Sequence, residues 1–331
     1  MPRDSNPAEQ PGYPTPARPD ASSPAPGVKV KERYLIEREL GRGGMGVVYV
    51  ARDERLHGMR VVIKFLLDTS SQSSWLAKKF LQEAEALTRI NHPGVVRVID
   101  RDRTEDGKPF FVMEFINGKS LRSIMVPEGI PLEHAALLIQ QIGQALAAAH
   151  REGVVHRDLK PENIMLESLS DGEQHVKLID FGIAKVRDSQ SGTATEVMMV
   201  AGSLNYMSPE QFAGQPVTAA GDIYAFGIIA YELITGRRPF NPDAQSQVVA
   251  VQQLVAMQRG DRIIPPRQLR PSLPESARRW LSWRRWSPSV SRPSLFSRAR
   301  AALPNPVRRR RRLSQSRPRR RPRPSVRSCT R

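Results

Sequence analysis

The chain has 331 residues and a formal net charge of +18. Nineteen arginines, with no lysine and no acid, fall in residues 278–331, while the first 277 residues hold 32 basic and 33 acidic side chains. A near-neutral body with a basic end excludes a histone-like or ribosomal chain, which would be basic throughout. The length fits about two domains at most. Cys329 is the single cysteine, which excludes an internal disulfide and a cysteine metal cluster and fits a reducing compartment. No apolar run reaches the ~18–20 residues of a membrane span. The start Met1-Pro2-Arg3-Asp4 has no apolar core of a secretory signal, so the expected setting is cytoplasmic.

In chain order, residues 1–27 carry eight prolines among Ser, Ala and Asp, the composition of a disordered leader, which extends to residue 33. Residues 33–66 alternate β-branched runs with glycines, as hairpin strands do. Residues 76–90 place Phe80, Ala84, Leu87 and Ile90 on one helical face. Phe110 to Phe115 reads as a buried strand. From Pro131 to His150 the apolar positions 135, 138, 139, 142, 146 and 149 form a second helical face, and Gly153 ends it. Ile223 to Leu233 is apolar nearly all round, so it is a helix buried on every side, closed by Gly236. Strands first and helices later predict an α+β chain of two lobes. After Ser282 the periodicity disappears into Arg, Ser and Pro.

Four strings carry chemistry. In Gly41-Arg42-Gly43-Gly44-Met45-Gly46, the glycine spacing lets a backbone turn lie over a phosphate chain. Alone that spacing is weak, because it also marks dinucleotide folds. Here Val47-Val48-Tyr49-Val50 continues as strand rather than helix, which argues against a dinucleotide site. Lys64, in the run Val61-Val62-Ile63-Lys64, is ordinarily a solvated surface cation, but after a glycine loop it becomes a phosphate ligand needing a carboxylate to orient it. Glu83 and Glu85 lie on the following helix, and Glu83 falls on the inward side with Phe80 and Leu87. In the string from His156 to Asn163, Asp158 can accept a hydroxyl proton, Lys160 can neutralise a phosphoryl group, and Asn163 offers an amide oxygen to a hard cation. Asp180, after the strand Val176–Ile179, adds a carboxylate, and such a pair makes a Mg²⁺ site with positions open to phosphate oxygens.

Taken together, GRGGMGVV, VVIK, HRDLKPEN, DFG, SPE and GDIYAFG resemble, in their order, the bacterial eukaryotic-like (Hanks-type) serine/threonine protein kinases. The resemblance implies a bilobal protein-kinase-like fold, with a small antiparallel β-sheet lobe carrying one helix (34–115) and a larger, mostly helical lobe (116–282) that the sequence leaves incomplete at its end. It implies Mg-ATP (or Mn²⁺ as metal) and Ser/Thr hydroxyls of protein substrates. Gly41, Gly43 and Gly46, with Arg42, Gly44 and Met45 of the same loop, would cover ATP. Lys64 would hold its phosphates and pair with Glu83. Asp158 would be the base, Lys160 would contact the γ-phosphate, and Asn163 and Asp180 would bind the metal. Val48, Val62, Met113 and Met165 would line the adenine pocket, with Glu114 and Phe115 at the hinge; each of these apolar residues is equally ordinary core.

The resemblance also makes residues 180–210 an activation segment, with autophosphorylation at Thr195 and next Thr193, and Arg157 as the partner of the phosphate. Ser203 stands where the family usually has Thr. The family's late Arg, partner of the Glu in the SPE string (Glu210), is matched only by Arg292 in a partial echo. Three readings stand for 283–331: an Arg-rich tail on nucleic acid, with Trp280, Trp283 and Trp286 for stacking; a solvated extension; and a shifted reading frame, favoured by the abrupt loss of pattern. Nucleic-acid binding is the less favoured. The alternative function is a folding-impaired, non-catalytic signalling scaffold. Substrates and oligomeric state are not legible.

Overall fold

The structure, a computed structural model, describes residues 24–43, 46–66, 73–168, 173–182, 204–244, 246–260 and 263–274; within the helix at 73–88 the side chains of residues 73–76, 79 and 83 are outside this description. Thr193, Thr195, Ser203, Gly44, Met45, Arg292 and the basic tail therefore lie outside the described residues.

The N-terminal lobe is a six-stranded antiparallel sheet. Its strands are β1 (Lys29–Val30), β2 (Tyr34–Gly43), β3 (Gly46–Asp53), β4 (Met59–Leu66), β5 (Val98–Arg103) and β6 (Pro109–Glu114), in spatial order β1-β2-β3-β4-β6-β5. Strand periodicity sorts β4: Val61, Ile63 and Phe65 pack into one apolar cluster with Tyr34, Tyr49 and Phe110, while Val62 and Leu66 pack into the other. Lys64 shares the parity of Val62 and Leu66, so it projects from their side of the sheet. The helix α1 (Ser73–Thr88) lays Phe80, Ala84 and Leu87 into that second cluster, with Phe80 against Phe111 at a ring-centroid distance of 4.9 Å.

One sequence expectation fails here. The leader, read as disordered to residue 33, already joins the sheet at Lys29–Val30, paired with Leu35 and Tyr34. Arg33 is the reason the edge holds: its guanidinium bridges Asp53 at 2.7 Å and Asp100 at 2.7 Å. Composition could not show this, because the acids that fix Arg33 are far along the chain.

The second lobe begins with a small sheet, β7 (Gly118–Ser120), β8 (Ile164–Ser168) and β9 (Gln174–Leu178). It packs on α2 (Leu132–Arg151), whose buried face is the predicted one. There follow the single turn α3 (Pro209–Phe212), then α4 (Ala219–Thr235), α5 (Gln247–Gly260) and the turn α6 (Pro266–Leu269). Helix α4 is the buried centre of the lobe, with Ala225, Phe226, Ile228, Ile229, Leu233 and Ile234 all enclosed. Thr218 caps its first turn by accepting from the Ala220 N–H, and Gly236 ends it at φ 73°. A side chain at Gly236 would meet the Pro127 carbonyl oxygen at 2.0 Å, so glycine is required by space as well as by conformation.

Candidate active site

The site is assembled where strand ends and loops from both lobes converge. The glycine hairpin closes β2 onto β3, with Gly41 opposite Val48 and Gly43 opposite Gly46. A Cβ on Gly46 would lie 2.6 Å from the Phe65 carbonyl oxygen, so this glycine lets the hairpin lie flat on β4. Arg42 is ion-paired with Glu39 at 2.9 Å.

Lys64 reaches across to Asp180 and forms an ion pair with its Oδ1. The lysine side chain is 14% exposed and the aspartate 44% exposed, so the carboxylate opens to the cleft. Desolvation acts to raise the Asp180 carboxyl, but the charge and hydrogen bond of Lys64 outweigh it and hold the group below its ordinary value. Glu83 lies on α1, one turn from Phe80, with its side chain outside the described residues. Glu85, the other acid on that helix, is turned outward to Arg101 at 2.8 Å.

The segment from His156 to Asn163 connects α2 to β8. Lys160 Nζ lies 3.1 Å from Asp158 Oδ2. Asn163 donates its amide to the Asp158 carbonyl at 2.8 Å and contacts the Asp158 carboxylate at 3.3 Å. Both of these bonds use the amide nitrogen, and neither engages the Asn163 amide oxygen. Of the five non-glycine residues with left-handed backbone among the described residues, Arg157 at φ 64° and Asp180 at φ 53° lie in the site, a conformation costing on the order of 1–3 kcal/mol for a non-glycine residue.

What holds Arg157 there is Asp222, in the first turn of α4. Its carboxylate, 1% exposed, accepts from the His156 N–H at 2.7 Å, the Arg157 N–H at 2.9 Å and His150 Nε2 at 2.8 Å. His156 is itself enclosed; burial pushes its imidazole below the ordinary value and so keeps it neutral. A neutral ring with Nε2 at 3.1 Å from the Ile179 carbonyl is assigned the Nε2–H tautomer. The ring stacks on Phe181 at 4.5 Å, and the Gly182 N–H donates to the His156 carbonyl at 2.7 Å. Asp158 and Asp180 are thus parts of one hydrogen-bonded unit.

The protein kinase domain model matches residues 34–295. The chain belongs to the protein kinase family, in its bacterial eukaryotic-like (Hanks-type) serine/threonine form. It is 37% identical over 261 residues to the serine/threonine-protein kinase PknA of Mycobacterium tuberculosis, covering 77% of this chain and 57% of that one. It is 40% identical over 249 residues to PkaA of Streptomyces coelicolor, covering 71% and 45%. It is 39% identical over 210 residues to pkn2 of Myxococcus xanthus, covering 63% and 25%. The kinase thus spans between a quarter and about three-fifths of these relatives. The crystal structure of a mutant of the Mycobacterium tuberculosis PknI kinase domain aligns with a TM-score of 0.58 at 24% identity, covering 85% of this chain and 98% of that one, and shows the same fold.

The kinase cleft brings together Val48, Val62 and Met113 in one packed cluster, with Val62 opposite Met113 across β4 and β6. Met165 is buried on β8 but belongs to no such cluster. Glu114 accepts from Lys177 at 2.6 Å and from the Arg97 N–H at 2.9 Å, which ties the end of β6 to β9 of the other lobe. Phe115 lies beneath the Arg60 guanidinium, 5.8 Å from the ring centroid. For a hard cation the donor set fits: one carboxylate and one amide oxygen leave room for phosphate oxygens. Among the described residues no group of three or more His, Cys, Asp or Glu would hold a metal alone. A Cβ on Gly46 would lie 3.8 Å from Lys64 Cε, so the β3 end of the glycine loop comes close to the lysine, as a phosphate-binding pair would need. Sequence reasoning gave no role to Asp222, Lys177 or Arg122; for Asp222 the signal was an acid opening a helix apolar all round.

Proposed function

We propose that this kinase transfers the γ-phosphoryl group of Mg-ATP to Ser and Thr hydroxyls of proteins, and that it phosphorylates its own activation segment at Thr195 and then Thr193. The observation that carries this reading is the convergence of Lys64, Asp158, Lys160, Asn163 and Asp180, three of them from one eight-residue loop. ATP supplies the phosphoryl group, and Mg²⁺ supplies charge to its oxygens. Lys64 anchors the α and β phosphates, and Asn163 and Asp180 are the metal's protein ligands. Asp158 receives the proton from the acceptor hydroxyl, and Lys160, already against Asp158, presents an ammonium to the moving phosphoryl group. The rest is positioning, by residues held in place before substrate arrives. With a single cysteine in the chain, the ATP-rich, reducing cytoplasm is the proposed setting of the reaction; among the described residues no helix is long and apolar enough to cross a membrane.

The test is phosphate transfer from labelled ATP to a generic protein acceptor, with Asp158→Asn as control. Transfer lost by ~10²-fold or more in the variant is expected, and equal transfer in both would overturn the assignment. Mass spectrometry of the active protein tests the second claim, which fails if residues 183–203 carry no phosphate.

A further inference from the structure

The glycine loop carries one charged side chain that the proposed transfer does not use. Arg42 donates from Nε to Glu39 Oε1 at 3.3 Å and from Nη2 to Glu39 Oε2 at 2.9 Å, so guanidinium and carboxylate meet as a forked pair. Both side chains are largely enclosed, 13% and 17% exposed. An unbroken strand turns residues three apart to opposite faces, so β2 has to depart from regular strand for this pair to form. It does: Glu39 stands opposite Tyr49 and Gly41 opposite Val48, two steps along β2 against one along β3. Leu40 is the extra residue of this bulge, and it brings Glu39 and Arg42 onto one face.

The register identifies that face, because residues directly opposed in a ladder share one. Gly41 opposes Val48, which opposes Lys64, and Gly46 opposes Leu66, so both glycines lie on the side of the sheet from which Lys64 projects. Gly43 opposes Gly46 and shares that side. Arg42 opposes Val47, which opposes Phe65, and Glu39 opposes Tyr49, which opposes Ile63. Val47, Tyr49, Ile63 and Phe65 all belong to the apolar cluster of the other side. Sequence reasoning set Arg42 among the residues covering ATP. The register keeps the three glycines on that side and turns the arginine side chain away from it.

We infer that Arg42 acts on ATP only through the backbone: its pair with Glu39 is a brace on the far face of the sheet, which holds Gly41 and Gly43 in place over the phosphates and so sets nucleotide affinity. Arg42 and Glu39 are positioning residues, and neither touches the nucleotide. Four of the six residues 41–46 are glycine, the residue with most backbone freedom to lose on ordering. A brace formed beforehand removes part of that cost from ATP binding. The inference rests on the reading of this cleft as an ATP site.

A mutant cycle tests it, with E39A, R42A, E39R, R42E and the double variants E39A/R42A and E39R/R42E. Two quantities are read: the Kd of labelled Mg-ATP by equilibrium dialysis, and amide hydrogen exchange across residues 39–43 and 46–50 in the nucleotide-free protein. E39A and R42A are each expected to weaken ATP about tenfold, the low end for a charge-assisted hydrogen bond, and the double alanine variant to lose no more than either alone. Exchange should quicken in both single alanine variants alike, and E39R/R42E should bind ATP more tightly than E39R or R42E. Direct contact of Arg42 with phosphate gives another pattern: R42A weakens ATP, E39A does not, and the reversed pair binds no better than its single variants. That pattern overturns the inference, as does unchanged exchange in E39A and R42A. If either alanine variant does not fold, E39Q and R42Q, which keep much of the volume and lose the charge, take their place. If the wild type binds no ATP at all, the ATP-site reading fails, and exchange in the free protein still decides whether the pair braces the glycine loop.

Discussion

Asp222→Ala is the most searching substitution outside the catalytic groups. The carboxylate receives three hydrogen bonds, from the His156 and Arg157 N–H groups and from His150, at 2.7, 2.9 and 2.8 Å. Removing it strands two backbone donors in a region where Asp222 is 1% exposed. Each buried donor left unsatisfied costs ~1–3 kcal/mol, so ~3–5 kcal/mol of stability is expected to go once the histidine contact is included. For a chain this size the urea slope is ~2–3 kcal/mol per M, and the midpoint should fall by more than ~1 M, as followed by circular dichroism. Activity should fall further than stability. Arg157 loses what holds it at φ 64°, and relaxation there moves Asp158, the next residue. A displacement of about 1 Å at the proposed base costs on the order of 10²-fold in rate. Asp222→Asn keeps the volume and one acceptor oxygen but sets an NH₂ against an N–H, so it should lie between the two. A D222A protein within ~1 kcal/mol of wild type that keeps more than about half its phosphotransfer rate would falsify the anchoring role.

Four further outcomes follow from the same geometry. Gly46→Ala drives a methyl group toward the Phe65 carbonyl, 2.6 Å from the ideal Cβ position, and should raise the KM for ATP, with ~1–3 kcal/mol lost from stability; an unchanged ATP titration argues against the close-packed hairpin. Lys64→Ala leaves Asp180 without its cation and should lower kcat by ~10²–10³-fold, measured at saturating ATP. Chelation with EDTA should abolish transfer, and restoring Mg²⁺ or Mn²⁺ should recover it. Asp53 is the pH-sensitive brace of the N-lobe: burial acts to raise its carboxyl, but Arg33 outweighs this and holds it below 3.8. Its contribution is therefore present above pH 3.8 and lost as pH falls through the lower folded value; acid titration of wild type against Asp53→Asn should show the variant with the flatter stability profile in that window.

The readable parts of this molecule are those whose physics is local. Hairpin strands, the faces of α1 and α2, and the glycine end of α4 follow from periodicity and capping within a dozen residues. The string from His156 to Asn163 stands out for the same reason, since Asp158, Lys160 and Asn163 sit in one short loop. Lys64 needed a neighbour to be legible: on its own it reads as a surface lysine, and only the preceding glycine hairpin changed that. The strand at Lys29–Val30 was missed because it depends on Arg33 finding Asp53 and Asp100, one of them 67 residues away. Lys177 was missed likewise, being an unremarked residue of an ordinary strand until Glu114 is placed opposite it.

Helix α4 joins these two kinds of feature. A helix apolar on every side is legible as buried, and a buried charge is costly unless fully hydrogen-bonded. Each acid in such a helix therefore implies a set of donors brought to it from elsewhere. Asp222 and Glu232 are the two acids, ten residues apart, which is about 15 Å along the axis. Asp222 receives the start of the catalytic loop, at His156 and Arg157. Glu232 receives Arg122, which holds the other end of the loop at Glu162. The loop is thus suspended between two points on one rigid, enclosed helix. Its left-handed arginine is held by that span, and Asp158, between the two attachments, has its position set by residues outside the set proposed to act on ATP and the acceptor.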